Sequence, residues 1–441
     1  MLKLKKIPVI LLFLASAFAA QAASLRFEGL SKPAWKEAAD AATGIKEIYV
    51  VPSAAGAKLV YTPDGGASQV EVATWGSRGG AYTEPVDAGN LSVAGNEISI
   101  TLDGGDTGFA FTEAGRTTYY WVVDYSGHRF QAASLSPSAE QECGRAWLDF
   151  NGSAEAIIYY GINARTWTLS RDIKLDFTTM TFDEPTFSFV TADKSEVLDA
   201  VRQQINIEAP LCDTYFTLSG DRFLRFWDEE IEVTSTRFTT NSVALEAKAT
   251  QTERNADNEL KVETDGLGGS GPVEITFDAA VTDAAIFREW QFSPDQDFYD
   301  ITTRVQQLSF TQTFTESGTV YARFVTANND GSCEAQSDVF SVFIGESFLR
   351  CPNAFSPGVT EGVNDEWRVS YKSIVTFECY IFNRWGQKMA EFHDPALGWD
   401  GRKGGKVVPA GVYYYVIKAR GADGRDYNLS GDINILGYNE K

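Results

Sequence analysis

Ile381-Phe382-Asn383-Arg384-Trp385-Gly386, then Gly398-Trp399-Asp400-Gly401, then Pro409-Ala410-Gly411-Val412-Tyr413-Tyr414-Tyr415, is the stretch whose reading decides the fold. Short apolar and aromatic runs are punctuated by Asn, Asp and Gly, as strands joined by tight turns require. A final strand-like run, Gly431-Asp432-Ile433-Asn434-Ile435-Leu436, closes it. Phe377, Cys379 and Ile381 fall on one strand face, with Glu378, Tyr380 and Phe382 on the other. Trp385 and Trp399 are large enough to fill a small sandwich core, and Gly386 and Gly411 suit turns that need positive φ. Residues 346–441 are therefore expected to form a C-terminal β-sandwich, and nothing in them reads as an active site.

The same grammar runs through the rest of the chain. Aromatic residues make up 13% of the 441 residues, and Thr, Val and Tyr recur in alternating runs. The length predicts roughly three or four domains. Residues 23–130 read as an N-terminal β-sandwich, with strands at Lys46–Val51, Ala57–Tyr61 and Val70–Trp75. A hairpin is expected between Ile98–Leu102 and Thr117–Val123, and a short helix at Pro33–Ala39. Residues 131–207 read as a small β-rich module, with Val197 to Asn206 strand or helix by pattern. At about 75 residues its core is modest, so it is expected to pack on a neighbour.

Residues 208–345 resemble the immunoglobulin-like and PKD-like sandwiches of bacterial surface proteins. Trp290 sits mid-strand, and Gly318-Thr319-Val320-Tyr321 enters a late strand, which would make Tyr321 a tyrosine-corner residue. Arg323 stands where an antibody domain has its second cysteine. Asn255 to Gly271, polar and glycine-rich, is expected to be a long exposed loop. The chain is all-β: a string of unlike β-sandwich modules, without tandem repeats.

The N-terminus carries a secretory signal pattern over residues 1–22: Lys3, Lys5 and Lys6, an apolar Ile7–Ala20, and the small-residue site Ala20-Gln21-Ala22. That run is shorter than the roughly 20 residues a bilayer span needs, and no later stretch is long and apolar enough, so no transmembrane segment is expected after signal removal. The formal charge of −22 disfavours nucleic acid as a partner.

Candidate chemistry is sparse. His128 and His393 are lone loop histidines, expected at the surface. Nucleophile elbows, phosphate-binding loops and zinc-protease motifs do not occur, so no catalytic residue, metal ligand or cofactor site is assigned. The densest acid cluster is Asp228-Glu229-Glu230 after Phe226-Trp227. A secreted glycan hydrolase would stack a sugar on Trp227 and draw a carboxylate pair from this cluster; the simpler reading is a charged turn. The five cysteines lie in a chain marked for export, where disulfides are permitted. Cys212 with Cys333 would close a loop of about 120 residues, a span for which the chain-entropy model gives roughly 4–5 kcal/mol. Cys351 and Cys379 would pair within the last module, leaving Cys143 without a partner; buried free thiols are the alternative.

Residues from about 350 to 437 resemble the gliding-motility-associated, type B C-terminal domain of Bacteroidetes proteins, the sorting domain of the type IX secretion system. The resemblance rests on Phe355-Ser356-Pro357 with Gly362-Val363-Asn364-Asp365, on Asn383-Arg384-Trp385-Gly386, on Trp399-Asp400-Gly401, and on Pro409-x-Gly411-Val412-Tyr413. Between the halves of the first motif stands Gly358-Val359-Thr360-Glu361 in place of the family's Asn-Gly-Asp core, which puts cation binding there in doubt. The resemblance implies a protein that transits the periplasm and reaches the outer-membrane surface or the medium; sandwich architecture, acidity and the absence of catalytic motifs point to a non-enzymatic one. The resemblance implies as partners the outer-membrane translocon and a PorP/SprF-type outer-membrane protein. On the same architecture and acidity, the upstream modules are expected to bind a surface glycan or protein, adhere, or build the envelope.

Overall fold

Arg116–Asp124 carries the sequence RTTYYWVVD, a strand with scarcely a polar residue in its second half. Such a run demands burial on both faces, and the computed structural model, which describes residues 23–360 and 362–437, provides it. Tyr120 and Val122 point into one core, shared with Leu59, Ile98 and Phe111. Trp121 and Val123 point into another, shared with Leu148, Ile173 and Phe216. The six-stranded sheet around this strand is thus the middle layer of three. A four-stranded sheet (Ser24–Glu28, Lys58–Thr62, Glu97–Thr101, Leu91–Ala94) covers one face and the second module covers the other.

Two local expectations fail here. Trp35–Ala38 is an edge strand paired with Glu47–Val51, not a helix: Trp35 and Glu37 face inward and Lys36 and Ala38 outward, a period of two over four residues. The hairpin partner of Arg116–Asp124 is Thr107–Glu113, joined through Ala114 and Gly115 at φ 47° and 78°, the positive pair that a tight hairpin turn needs. Glu97–Thr101 lies in the other sheet. The signal pattern falls on residues 1–22, outside the described residues.

The second module does not stop at residue 207. Its long hairpin, Ile173–Asp183 with Ser188–Leu198, pairs onward with Thr217–Ser219 and then Glu232–Thr234, and Phe223, Leu224, Trp227 and Phe238 close its core. The pattern left open at Val197–Asn206 resolves as the end of one strand and the start of Gln204–Glu208.

The joint with the first module is a buried ion pair. Arg171 and Asp221 have side chains 1% and 0% exposed, with Nη2 2.8 Å and Nε 2.9 Å from Oδ2. Asp221 accepts the Tyr125 hydroxyl of the first module at 3.0 Å and the Leu224 N–H at the start of the short helix Arg222–Phe226. Arg171 donates to the carbonyls of Glu155 and His128 at 2.9 and 2.6 Å.

The third module is the expected sandwich, with Trp290 fully buried on Phe287–Ser293 and edge-on to Phe277 and Phe324. Tyr321 does not make a tyrosine corner. It lies half-buried on the outer face of Gly318–Ala327, opposite Ser293 and Ser341. Cys333 bonds to Cys143, not to Cys212, across a sequence separation of 190 residues. The bond joins the second module to the third beside the linker, where Gly144 N–H donates to Ser242 Oγ and Asn328 Nδ2 to the Asn241 carbonyl. Cys212 is a free thiol whose pKa is raised by burial.

Asn255 to Gly271 is likewise more than a loop. Asn258 donates to the carbonyls of Val369 and Pro395, both at 2.8 Å, and Leu260 N–H to Tyr371 O. Leu267–Gly269 then pairs in parallel with Phe340–Ile344. This segment straps the third module to the last, and Ala422 of the last module sits in the third module's core.

Arg171→Met leaves Asp221 charged and uncompensated, an arrangement that costs about 3–5 kcal/mol. Urea unfolding followed by tryptophan fluorescence should show a lowered midpoint, partly recovered in Arg171→Met/Asp221→Asn, which keeps a helix cap without the charge. Cys143→Ser should lower stability by roughly 2–5 kcal/mol, and limited proteolysis should cut the chain near residues 238–245 faster than in the wild type.

Candidate functional site

The sequence singles out two places, and the structure treats them differently. The acid cluster after Trp227 is consumed by architecture. Trp227 is 2% exposed, donates from Nε1 to the Pro33 carbonyl at 2.8 Å and lies edge-on to Tyr125, so it offers no face to a sugar. Glu229 pairs with Arg129 and Lys32, and Glu230 with Arg225. Asp228 takes φ 57° as the chain leaves the helix. His128, expected at the surface, is half-buried, with Nε2 2.7 Å from Asp106 Oδ2; its carbonyl belongs to the Arg171 network. His393 is exposed beside Glu391.

The last module is where the quoted motifs converge, each tied to a physical task. Its main sheet runs in the order Ala354–Phe355, Asp426–Ile435, Gly411–Gly421, Ile374–Phe382, Lys388–Phe392. Phe377, Cys379 and Ile381 face the core as alternation predicts. Trp399 packs against Phe355 and edge-on against Tyr413, and its Nε1 donates to the Arg402 carbonyl. Asp400 accepts the Arg402 N–H and Gly401 takes φ 75°, which turns the chain immediately after that tryptophan.

Sequence reading missed the partner of Trp399. Trp367 is fully buried, exchanges two backbone hydrogen bonds with Trp399, donates from Nε1 to the Pro352 carbonyl at 2.7 Å and stacks near Tyr415. A lone tryptophan after Asp365-Glu366 gives no periodic signal, so only its bulk marks it.

The Phe355-Ser356-Pro357 loop is closed by Asp365. One carboxylate oxygen accepts the Gly358 N–H at 2.8 Å and the other the Gly362 N–H at 2.6 Å. Ser356 N–H donates to the Asn364 carbonyl, and Asn364 takes φ 54°. The carboxylate thus satisfies the loop from within, and among the described residues no group of three His, Cys, Asp or Glu is placed to hold a metal.

The Pro409-x-Gly411-Val412-Tyr413 motif explains itself as a tyrosine corner. Tyr413 Oη donates to the Pro409 carbonyl four residues upstream at 2.8 Å, with the ring buried. The corner expected at Tyr321 is therefore made one module later. Burial raises the Tyr413 pKa.

Asn383 builds the Asn383-Arg384-Trp385-Gly386 turn: its Oδ1 accepts N–H groups of Trp385 and Gln387, both at 3.0 Å, while Gly386 takes φ 78°. Trp385, expected in the core, is 75% exposed, with the Arg384 guanidinium 4.2 Å from its ring centre. Cys351 and Cys379 are free thiols rather than a bridge, and burial pushes the Cys379 thiol up to about 12.

Comparison with known proteins agrees with the motif reading. Residues 349–435 match the CHU_C type IX secretion signal domain, and residues 135–235 match a fibronectin type III domain. No curated protein matches the chain. Among solved structures, the chain is similar to a tetra-tandem repeat in the extending region of a large adhesion protein. That likeness is 12% identical, covers 87% of this chain and 96% of that one, and has a TM-score of 0.21. The FN1–FN3 domains of chicken CNTN1 are similar at 10% identity, 69% and 98% coverage and a TM-score of 0.26. The last module is a type IX secretion signal domain, carried on a string of β-sandwiches.

Tyr413→Phe should lower the unfolding midpoint by about 1 kcal/mol equivalent, the worth of one hydrogen bond, without altering the far-ultraviolet circular dichroism. Trp367→Ala, which opens a cavity and removes the donor to the Pro352 carbonyl, should cost about 3–5 kcal/mol.

Proposed function

We propose that this protein is a non-enzymatic cargo of the type IX system, delivered to the outer-membrane surface or the medium. There its upstream modules act in binding, adhesion or envelope structure. The observation that carries the reading is the match of residues 349–435 to the secretion signal domain, with its four motifs in order in one folded module. The fibronectin type III match over 135–235 supports a role in contact rather than catalysis. The occupied state of Trp227, Glu229 and Glu230 supports it too, since the acid cluster that a hydrolase would draw on is already committed to packing and ion pairs.

The partners in this reading are the outer-membrane translocon and a PorP/SprF-type outer-membrane protein during export, and a surface glycan or protein ligand afterwards. The acidic upstream modules remain well solvated and repel anionic polymers. Among the described residues, no helix is long and apolar enough to cross a membrane.

Deleting residues 349–441 and following the remainder by cell fractionation tests the export half. The truncated chain should accumulate in the periplasm; arrival at the surface in wild-type amount would overturn the reading.

A further inference from the structure

The last module has two ends, and the register of its sheet tells them apart. Ile374 lies opposite Gly421, and the neighbouring Ser373 and Ala422 are bonded to Gly271, Ser270 and Ser317 of the third module. At the far end, Phe382 lies opposite Tyr414, Gly411 opposite Ile435, and Phe355 beside Ile435. The 383–387 turn, the loop after Phe355, and the start of Gly411–Gly421 therefore share the far end of the sheet, with Asp257 of the third module bordering only the Gly362–Asp365 side. Three of the four motifs meet there.

That end is unusually apolar for a surface. Trp385 is 75% exposed, Leu436 71%, Val363 53% and Val412 45%. These side chains do not build the fold, because the turns beneath them are closed by Asn383, Asp365 and the Tyr413 hydroxyl. Tryptophan and arginine are both residue types enriched among the anchors of protein–protein interfaces. Exposed apolar side chains with no internal task, spread over one end of the sheet, mark an interaction surface.

Charge indicates the kind of partner. Residues 23–348 hold 23 Lys and Arg against 49 Asp and Glu, whereas residues 349–441 hold 12 against 11. At the far end Arg384 lies over Trp385, and Lys403 reaches the Lys388 carbonyl at 2.8 Å. The Asp365 carboxylate, by contrast, is turned into its own loop. Around Trp385 the charges offered outward are Arg384 and Lys403, with the exposed Asp432 lying opposite Tyr414 on the same end.

We propose that this far end is the surface by which the outer-membrane export partner holds the module, and that the partner presents an apolar pocket for Trp385 ringed by carboxylates. The inference rests on the export reading above and names the surface that reading leaves open. Trp385 enters the pocket, Arg384 pairs with a carboxylate at its rim, and Leu436, Val363 and Val412 exclude water around them. The acidic upstream modules are repelled by the same carboxylates and stay clear of the contact.

The test uses the full chain in its own cell. Trp385→Ala and Arg384→Glu should each reduce the surface-exposed fraction by about tenfold, the effect of losing one strong interface anchor, with accumulation in the periplasm. Trp385→Phe should retain most export. The purified variants should unfold at the wild-type urea midpoint, which separates lost docking from lost folding. If the 349–441 deletion blocks export but both point variants are exported normally, the docking surface is wrong and the export reading stands. If the deletion itself is exported, the export reading fails. Binding of the purified full chain to phosphatidylglycerol vesicles that is lost in Trp385→Ala would assign the face to a lipid surface and overturn the proposal.

Discussion

The Arg171–Asp221 pair is the constraint on which the first half of the molecule depends. Two charges with almost no access to water are tolerable only when every lone pair and proton is matched. Here the matches come from three separate pieces of chain: the Tyr125 hydroxyl, the carbonyls of Glu155 and His128, and the first turn of Arg222–Phe226. Apolar packing of Trp121 and Val123 against the second module is non-directional and would accept several relative placements. The ion pair accepts one. It turns a shared greasy face into a defined joint.

Each subsequent joint uses different physics. Between the second and third modules the tie is covalent, Cys143 to Cys333, supported by two hydrogen bonds at the linker. Between the third and the last it is a strap, with Asn258 spanning two carbonyls and Ala422 inserted into a neighbouring core. Beads on flexible string would need none of these. The signal domain is thus carried on a body whose parts hold defined neighbours.

How much of this was legible follows from the range of each signal. Period-two strands with local turns were readable: Glu47–Val51, Lys58–Thr62, Phe287–Ser293 and Gly318–Ala327 lie where alternation put them. Trp290 reached the core because a tryptophan in the middle of an alternating strand has nowhere else to go. What failed was anything decided by partners distant in sequence. Cysteine pairing is invisible to local pattern: spacing offers Cys212 to Cys333, whereas the fold brings Cys143 to it. Trp227 looked available because it adjoins acids, yet its partner Pro33 lies 194 residues away. Trp385 was misplaced for the opposite reason. Size argued for the core, while the hydrogen bonds of Asn383 and the positive φ of Gly386 make the residue between them the tip of a turn. The export motifs were legible as a set, but which members build and which display required coordinates.

The Cys143–Cys333 bond has a topological consequence for passage across a membrane. Once it closes, 190 residues of chain are gathered into a covalent ring that holds most of two modules. A ring cannot be drawn through an aperture in single file; at every cross-section two lengths of backbone must pass side by side. A conduit that accepts the oxidised molecule must therefore be wide enough for at least two lengths of backbone abreast, whether or not the two modules pass it folded.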